Sequence, residues 1–140
     1  MNIFAYGTLM IPSVMQAVTG KHFASKEAVL RGYDRFRIKE EFYPGVIEKK
    51  EAIIDGAVYL GVDSRSLRRL DLFEGELYHR TPVLIELQDG ETLMAQTYLV
   101  KPEYENRLTS ESWSLADFRE NHLESFMNSY QGFFSIKAGQ

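Results

Sequence analysis

The spacing of hydrophobic and polar residues along the chain predicts strands more often than helices. Ile3-Phe4-Ala5-Tyr6 is a short apolar run ended by Gly7, the pattern of a buried strand. Pro12 suits the first turn of a helix, and Val14, Met15 and Val18 give that helix an apolar face up to Gly20. Phe23 to Ile38 is strand-like, with apolar positions at Leu30, Tyr33, Phe36 and Ile38 and a bulge marked by Gly32. Tyr43-Pro44-Gly45 predicts a turn, Val46-Ile47 restarts a strand, and Ile53 to Leu60 forms another around Gly56. Asp63 has the character of a helix N-cap, Leu67, Leu70 and Phe73 form the stripe behind it, and Gly75 suits the residue just past the end. Tyr78 to Leu87 and Thr92 to Val100 read as two strands of a hairpin turning at Asp89-Gly90. Leu115, Phe118, His122, Phe126 and Tyr130 recur near helical spacing and predict one final helix from about 114 to 130.

Strands and helices do not alternate strictly, which disfavours a doubly wound parallel sheet. The expected architecture is a curved or closed mixed sheet with a few helices packed on it. The 140 residues are the usual size of one domain, and no repeat or low-complexity linker divides them, so a single domain over 1–140 is expected.

Composition narrows the chemistry. There is no cysteine, which removes disulfides, thiolate metal sites and thiol nucleophiles. A net charge of −4 with scattered basic residues argues against a nucleic-acid partner, because counterion release needs clustered Lys and Arg. The densest basic group, Arg65, Arg68 and Arg69, reads as the solvated face of a helix. No apolar run approaches the ~20 residues of a membrane span. The opening residues lack the basic region of a signal peptide. A cytoplasmic location is the expectation, by default. His22, His79 and His122 have no metal-ligand spacing, and neither a nucleophile elbow nor a glycine-rich phosphate loop occurs.

Two segments can carry chemistry. Tyr6-Gly7-Thr8-Leu9 follows the first strand, where glycine permits positive φ or a close approach of backbone to ligand. Consecutive N–H groups in such a turn make an anion nest, and the positive end of a helix starting at Pro12 adds to it. The alternative is a plain turn after a core strand. The second segment is Leu70-Asp71-Leu72-Phe73-Glu74-Gly75, followed by Tyr78 and Arg80. It puts two carboxylates in the last turn of a helix, where the macrodipole disfavours negative charge. No basic residue follows until Arg80. Rules broken in this way concentrate at functional sites. A carboxylate held there and partly desolvated has its pKa raised, which suits a group that accepts and then donates a proton near neutral pH. Glu74, beside the Gly75 break, is the candidate; a surface acidic pair is the alternative.

Together, Phe4-Ala5-Tyr6-Gly7-Thr8-Leu9 and Leu70-Asp71-Leu72-Phe73-Glu74-Gly75, with Tyr78 and Arg80, resemble the gamma-glutamylcyclotransferase-like superfamily. Tyr43-Pro44 is similar to the family's Tyr-Pro turn, and Tyr98 to its aromatic in a late strand. The segment from Trp113 to Tyr130 resembles the closing helix of the avirulence-induced-gene-type branch. The resemblance implies an α+β fold, a small mixed β-barrel with flanking helices. It implies Glu74 as catalytic acid/base and Tyr6, Gly7, Thr8, Leu9, Tyr43 and Tyr98 as substrate-binding residues, with no metal and no cofactor. The implied reaction is of acyltransferase or amine-lyase type. The free α-amine of a γ-glutamyl substrate attacks its own side-chain amide, giving 5-oxoproline and a released amine. The implied partner is that small molecule, with neither nucleic acid nor membrane, acting on a monomer or homodimer. A non-catalytic member of the same fold, binding a metabolite or a protein, is the alternative.

Overall fold

The computed structural model describes residues 1–138. Six strands make one sheet: β1 (Ile3–Ala5), β2 (Ser25–Ile38), β3 (Pro44–Tyr59), β4 (Tyr78–Leu87), β5 (Thr92–Val100) and β6 (Leu108–Ser112). Their order is β3-β1-β5-β4-β2-β6, and β2 also pairs with β3. That pairing closes the first five strands into a barrel and leaves β6 on its outer flank. The barrel is mixed, because β1 runs parallel to β5 and antiparallel to β3. Closure removes exposed sheet edges within the ring.

Alternation along β1 divides the interior in two. Phe4 pairs its side chain with Leu30, Val46, Ile54, Val58, Val83 and Ile85 in one apolar cluster. Ile3 and Ala5 face a second cluster built with the helices. Of these, α1 (Pro12–Thr19) opens with proline at its first position and stops at Gly20, whose φ is +76°. In α2 (Ser64–Glu74), the Asp63 carboxylate accepts from the Ser66 N–H at 3.2 Å, and Gly75 ends the helix with φ +77°. No helix among the described residues is long and apolar enough to cross a membrane.

Three local expectations change and one holds. The turn at Tyr43-Pro44-Gly45 lies earlier: Ile38 N–H bonds Tyr43 O at 3.0 Å, and β3 already begins at Pro44. Proline tolerates the first position of a strand, where no ladder donor is needed. The two strands expected on either side of the polar run Glu48 to Glu51 are one strand, paired to β2 up to Glu48 and again from Ile53, with residues 49–52 unpaired at the register shift. The expected bulge is present, with a register shift between Arg31 and Tyr33 and φ +86° at Gly32. Arg69 does not stand wholly on a solvated face; its Nε donates to Val18 O at 2.6 Å, a cation at the negative end of α1.

The largest correction concerns the last helix. The expected single helix over 114–130 is broken into α3 (Leu115–Asn121), α4 (Leu123–Ser129) and α5 (Gln131–Ala138). His122 leaves helical geometry at φ −130°, ψ −12°, and Tyr130 is extended at φ −66°, ψ 128°. Packing accounts for both breaks. His122 stacks on Phe42 with centroids 3.8 Å apart, and Tyr130 turns inward onto Phe73 and Tyr43. A straight helix cannot meet a curved barrel at all these points.

Candidate active site

The turn after β1 and the end of α2 meet at one pocket. It is lined by the segment from Phe4 to Leu9, by Tyr43 and Pro44, by Phe73 and Glu74, and by Tyr78, Tyr98, Phe126 and Tyr130. All seven residues singled out from the sequence (Tyr6, Gly7, Thr8, Leu9, Tyr43, Glu74 and Tyr98) therefore share a wall.

The loop is a single 3-10 turn over Thr8–Met10, in which Met10 N–H bonds Gly7 O at 3.0 Å. The N–H groups of Thr8 and Leu9 open this turn and have no backbone partner among the described residues. Gly7 has φ −133°, so positive φ is not why glycine stands there. Close approach is: a β-carbon would lie 2.8 Å from Pro44 Cγ. The loop is pinned from outside the pocket, where the Tyr59 hydroxyl donates to Leu9 O at 2.6 Å.

Tyrosines hold the remaining walls. The Tyr6 hydroxyl donates to Tyr98 O at 2.5 Å, tying the end of β1 to β5. The Tyr78 hydroxyl donates to Pro44 O at 2.7 Å. The Tyr98 hydroxyl donates to Asp71 Oδ1 at 2.6 Å, fixing α2 against the barrel.

The two carboxylates of α2, one turn apart, have opposite surroundings. Asp71 is exposed and takes Arg80 Nε at 3.0 Å and Nη2 at 3.3 Å, besides Tyr98. Glu74 has no hydrogen-bond partner among the described residues. The residue keeps partial solvent access, yet protein crowds its carboxyl group. Desolvation by burial, helped by the nearby negative charge of Asp71, pushes its pKa up to about 8. The helix has no basic residue in its last turn to offset this. Around it, burial raises the Tyr43 phenol to about 12 and raises Tyr6, Tyr78, Tyr98 and Tyr130, in each case with a contribution from the Glu74 charge. The surrounding phenols are thus neutral donors at ordinary pH, and Glu74 is the pocket's titrating group near neutrality. No cluster of His, Cys, Asp or Glu suited to a metal ion occurs among the described residues.

Sequence reasoning missed Phe126 and Tyr130 as pocket residues; they entered it only as positions in the stripe of the final helix. Their signal was present in the stripe's composition: a tyrosine aligned with the phenylalanines implies one polar atom that needs an outlet.

Residues 3–115 match the family described as gamma-glutamyl cyclotransferase, AIG2-like. AIG2-like protein C of Arabidopsis thaliana is 31% identical over 133 residues, covering 94% of this chain and 77% of its own length. An Arabidopsis thaliana protein solved in solution superposes with TM-score 0.72 at 28% identity, over 97% of this chain and 91% of its own. A solved gamma-glutamyl cyclotransferase superposes with TM-score 0.66 at 16% identity, over 98% and 86%. That last likeness speaks to the fold.

Proposed function

The chain belongs to the gamma-glutamyl cyclotransferase, AIG2-like family, and we propose that it is a cyclotransferase releasing 5-oxoproline and an amine from a γ-glutamyl amide, with Glu74 as acid/base. The observation that carries this reading is an unpaired, solvent-reachable carboxyl group with a pKa of about 8, facing a turn of free N–H groups across one pocket.

The Thr8 and Leu9 N–H groups hold the substrate α-carboxylate, and the γ-amide lies toward Glu74. The α-ammonium cannot attack until it loses a proton. The substrate's α-amine, beside its own carboxylate, titrates about one unit above the ~7.7–8.0 of a peptide α-amino group, so transfer to a carboxylate of pKa about 8 is uphill by only about 1–2 kcal/mol. The neutral nitrogen attacks the γ-carbonyl carbon, forming the C–N bond of a five-membered ring. Attack within one molecule gains the proximity advantage of a held conformer. Glu74, now protonated, gives its proton to the amide nitrogen as the old C–N bond breaks. The ring nitrogen then sheds a second proton by the same route. The lactam keeps one hydrogen on nitrogen, and the amine departs as an ammonium. Two protons have moved from the α-nitrogen to the leaving nitrogen, and none is created or lost. Tyr6 and Tyr98 act through position, since their hydroxyls are already donated to protein acceptors.

The test is 5-oxoproline release by the purified protein from a panel of γ-glutamyl amides, alongside Glu74→Gln. The variant is expected to fold and to lose ~10²–10⁴-fold in rate. For the wild type, kcat/KM should rise with pH through about 8 as Glu74 ionises. A Glu74→Gln protein working at the wild-type rate removes the assigned role, and a wild type inert across the panel removes the enzyme.

A further inference from the structure

The pocket has a neighbour. A larger groove, of about 330 Å³, lies beside it and is lined by Glu40, Glu41, Ser125, Ser129 and Gln131. The inner pocket has only about 30 Å³ of room, against the ~300 Å³ or more of ordinary ligand sites. The two cavities share three residues, Tyr43, Phe126 and Tyr130, which form the partition between them.

Tyr130 is the keystone of that partition. Its ring lies 5.2 Å from Tyr43 and 5.0 Å from Phe73 edge-on, and 4.6 Å from Phe126 in a stack. Two residues on, Gly132 holds the segment down: a β-carbon there would collide with Phe73 O and with the Tyr130 ring itself. The tail thus docks on the backbone immediately before Glu74, by a contact that only glycine permits. The Tyr130 hydroxyl is also unlike those of Tyr6, Tyr59, Tyr78 and Tyr98. Each of these donates to a protein oxygen, whereas Tyr130, like Tyr43 across the partition, has no partner among the described residues. Burial and the charge of Glu74 both raise its pKa, so the free hydroxyl shares the acid/base's surroundings.

Resting on the cyclotransferase reading, we infer that Tyr130 contacts the substrate and selects the leaving amine, favouring unbranched amines over those branched beside the nitrogen. With the glutamyl group held by the Thr8–Leu9 turn, the amide substituent points away from that turn, toward the partition. At about 30 Å³ the inner pocket must widen even to take the glutamyl group, and the substituent beyond it reaches the outer groove by parting Tyr43 from Tyr130. A methylene chain needs the least displacement. A carbon carrying three methyl groups needs the most. The selecting residue comes from beyond the 3–115 span that matches the family, so the preference belongs to this chain's tail.

The experiment compares γ-glutamyl n-butylamide with γ-glutamyl tert-butylamide, isomers of equal composition, by kcat/KM for 5-oxoproline release. Tyr130→Ala should move the ratio toward the tert-butyl amide by roughly tenfold or more, the scale of one or two methylenes in a pocket. Gly132→Leu, which lifts the tail, should move it in the same direction. Tyr130→Phe should leave the ratio within about twofold while lowering kcat/KM for both amides, because only the hydroxyl is lost. An unchanged ratio in Tyr130→Ala overturns the inference. If the wild type cyclises neither amide, the wider panel of γ-glutamyl amides decides the cyclotransferase reading, and calorimetric binding of the same two amides decides the partition alone. A dissociation-constant ratio altered by Tyr130→Ala supports it. An unaltered ratio, or no binding of either amide, ends it.

Discussion

The barrel interior and the seam between barrel and helices are both apolar, but they treat polar groups in opposite ways. Inside the barrel, Leu30, Val46, Val58 and Ile85 are each exposed by 1% or less and pack against one another. The hydroxyl that enters this cluster, on Tyr6, is donated to a backbone carbonyl. In the seam, Phe73, Phe126, Tyr130 and Tyr43 form an equally continuous aromatic mass, yet the Glu74 carboxyl group and the phenols of Tyr43 and Tyr130 have no hydrogen-bond partner among the described residues. Buried polar groups are ordinarily satisfied. The Glu74 carboxyl and these phenols instead keep partial solvent access in one cavity with no protein partner, which leaves them available to a ligand. The interior therefore supplies rigidity, and the seam holds the groups available to a substrate.

The sharpest way to break this division is to damage the interior and watch the chemistry. Leu30→Ala removes a side chain from a site with no slack and should destabilise the fold by about 2–5 kcal/mol, read as a lower denaturant midpoint with unchanged slope. Protein that remains folded should keep the wild-type ratio between the two butylamides. A changed ratio would mean that interior packing reaches the site, and the division would be wrong.

This split also governs how much could be read from the sequence. The barrel strands were legible because period-two alternation and β-branched runs are local signals, and α2 was legible because Asp63, the Leu67-Leu70-Phe73 stripe and Gly75 announce it in order. The site residues on β1, α2 and β5 were legible through the resemblance of two short motifs. Three features were hidden. β6 (Leu-Thr-Ser-Glu-Ser) has one apolar residue and exists because Phe36 and Ile38 of β2 offer it an edge. The polar centre of β3 interrupts the apolar pattern of a strand that pairs with β2 on both sides of it. The breaks at His122 and Tyr130 follow from stacking on Phe42 and Phe73, which lie distant in sequence, so helical periodicity ran straight through them. Tertiary contact overrode local pattern in all three, and the last concealed the tail's part of the pocket.

A smaller effect tests whether the seam bears its carboxylate at a disadvantage. Folding raises Glu74 from an ordinary value of 4.5 to about 8, so the folded state holds its proton to higher pH than the unfolded chain. Stability from this group is then fully present below pH 4.5 and lost as pH rises through about 8. Glu74→Gln stays neutral throughout. Its advantage over wild type should be near zero at pH 4 and should grow to a plateau above pH 8. With the partial exposure of the residue discounted, the plateau is about 1 kcal/mol, or roughly 3 °C in Tm. Calorimetric scans across pH 4–9 measure it, and a variant less stable than wild type at pH 8.5 would show that the carboxylate is stabilised after all.

The gentlest perturbation separates the two causes of that raised pKa. Desolvation is the larger and belongs to the pocket; the charge of Asp71 is the smaller and belongs to the surface. Asp71→Asn removes the second while keeping an oxygen that can accept from the Tyr98 hydroxyl. It also frees the Arg80 cation from its carboxylate partner, leaving net positive charge where a neutral ion pair stood. Both changes favour an ionised Glu74, so the acid limb of kcat/KM against pH should move to lower pH but remain above the ordinary carboxylate range. The same γ-glutamyl amide is used for both proteins, so the substrate amine titrates identically and cancels. A limb that stays in place assigns the whole shift to burial, and one that moves upward shows that Asp71 had been supporting the charge, contrary to the contrast between the two carboxylates.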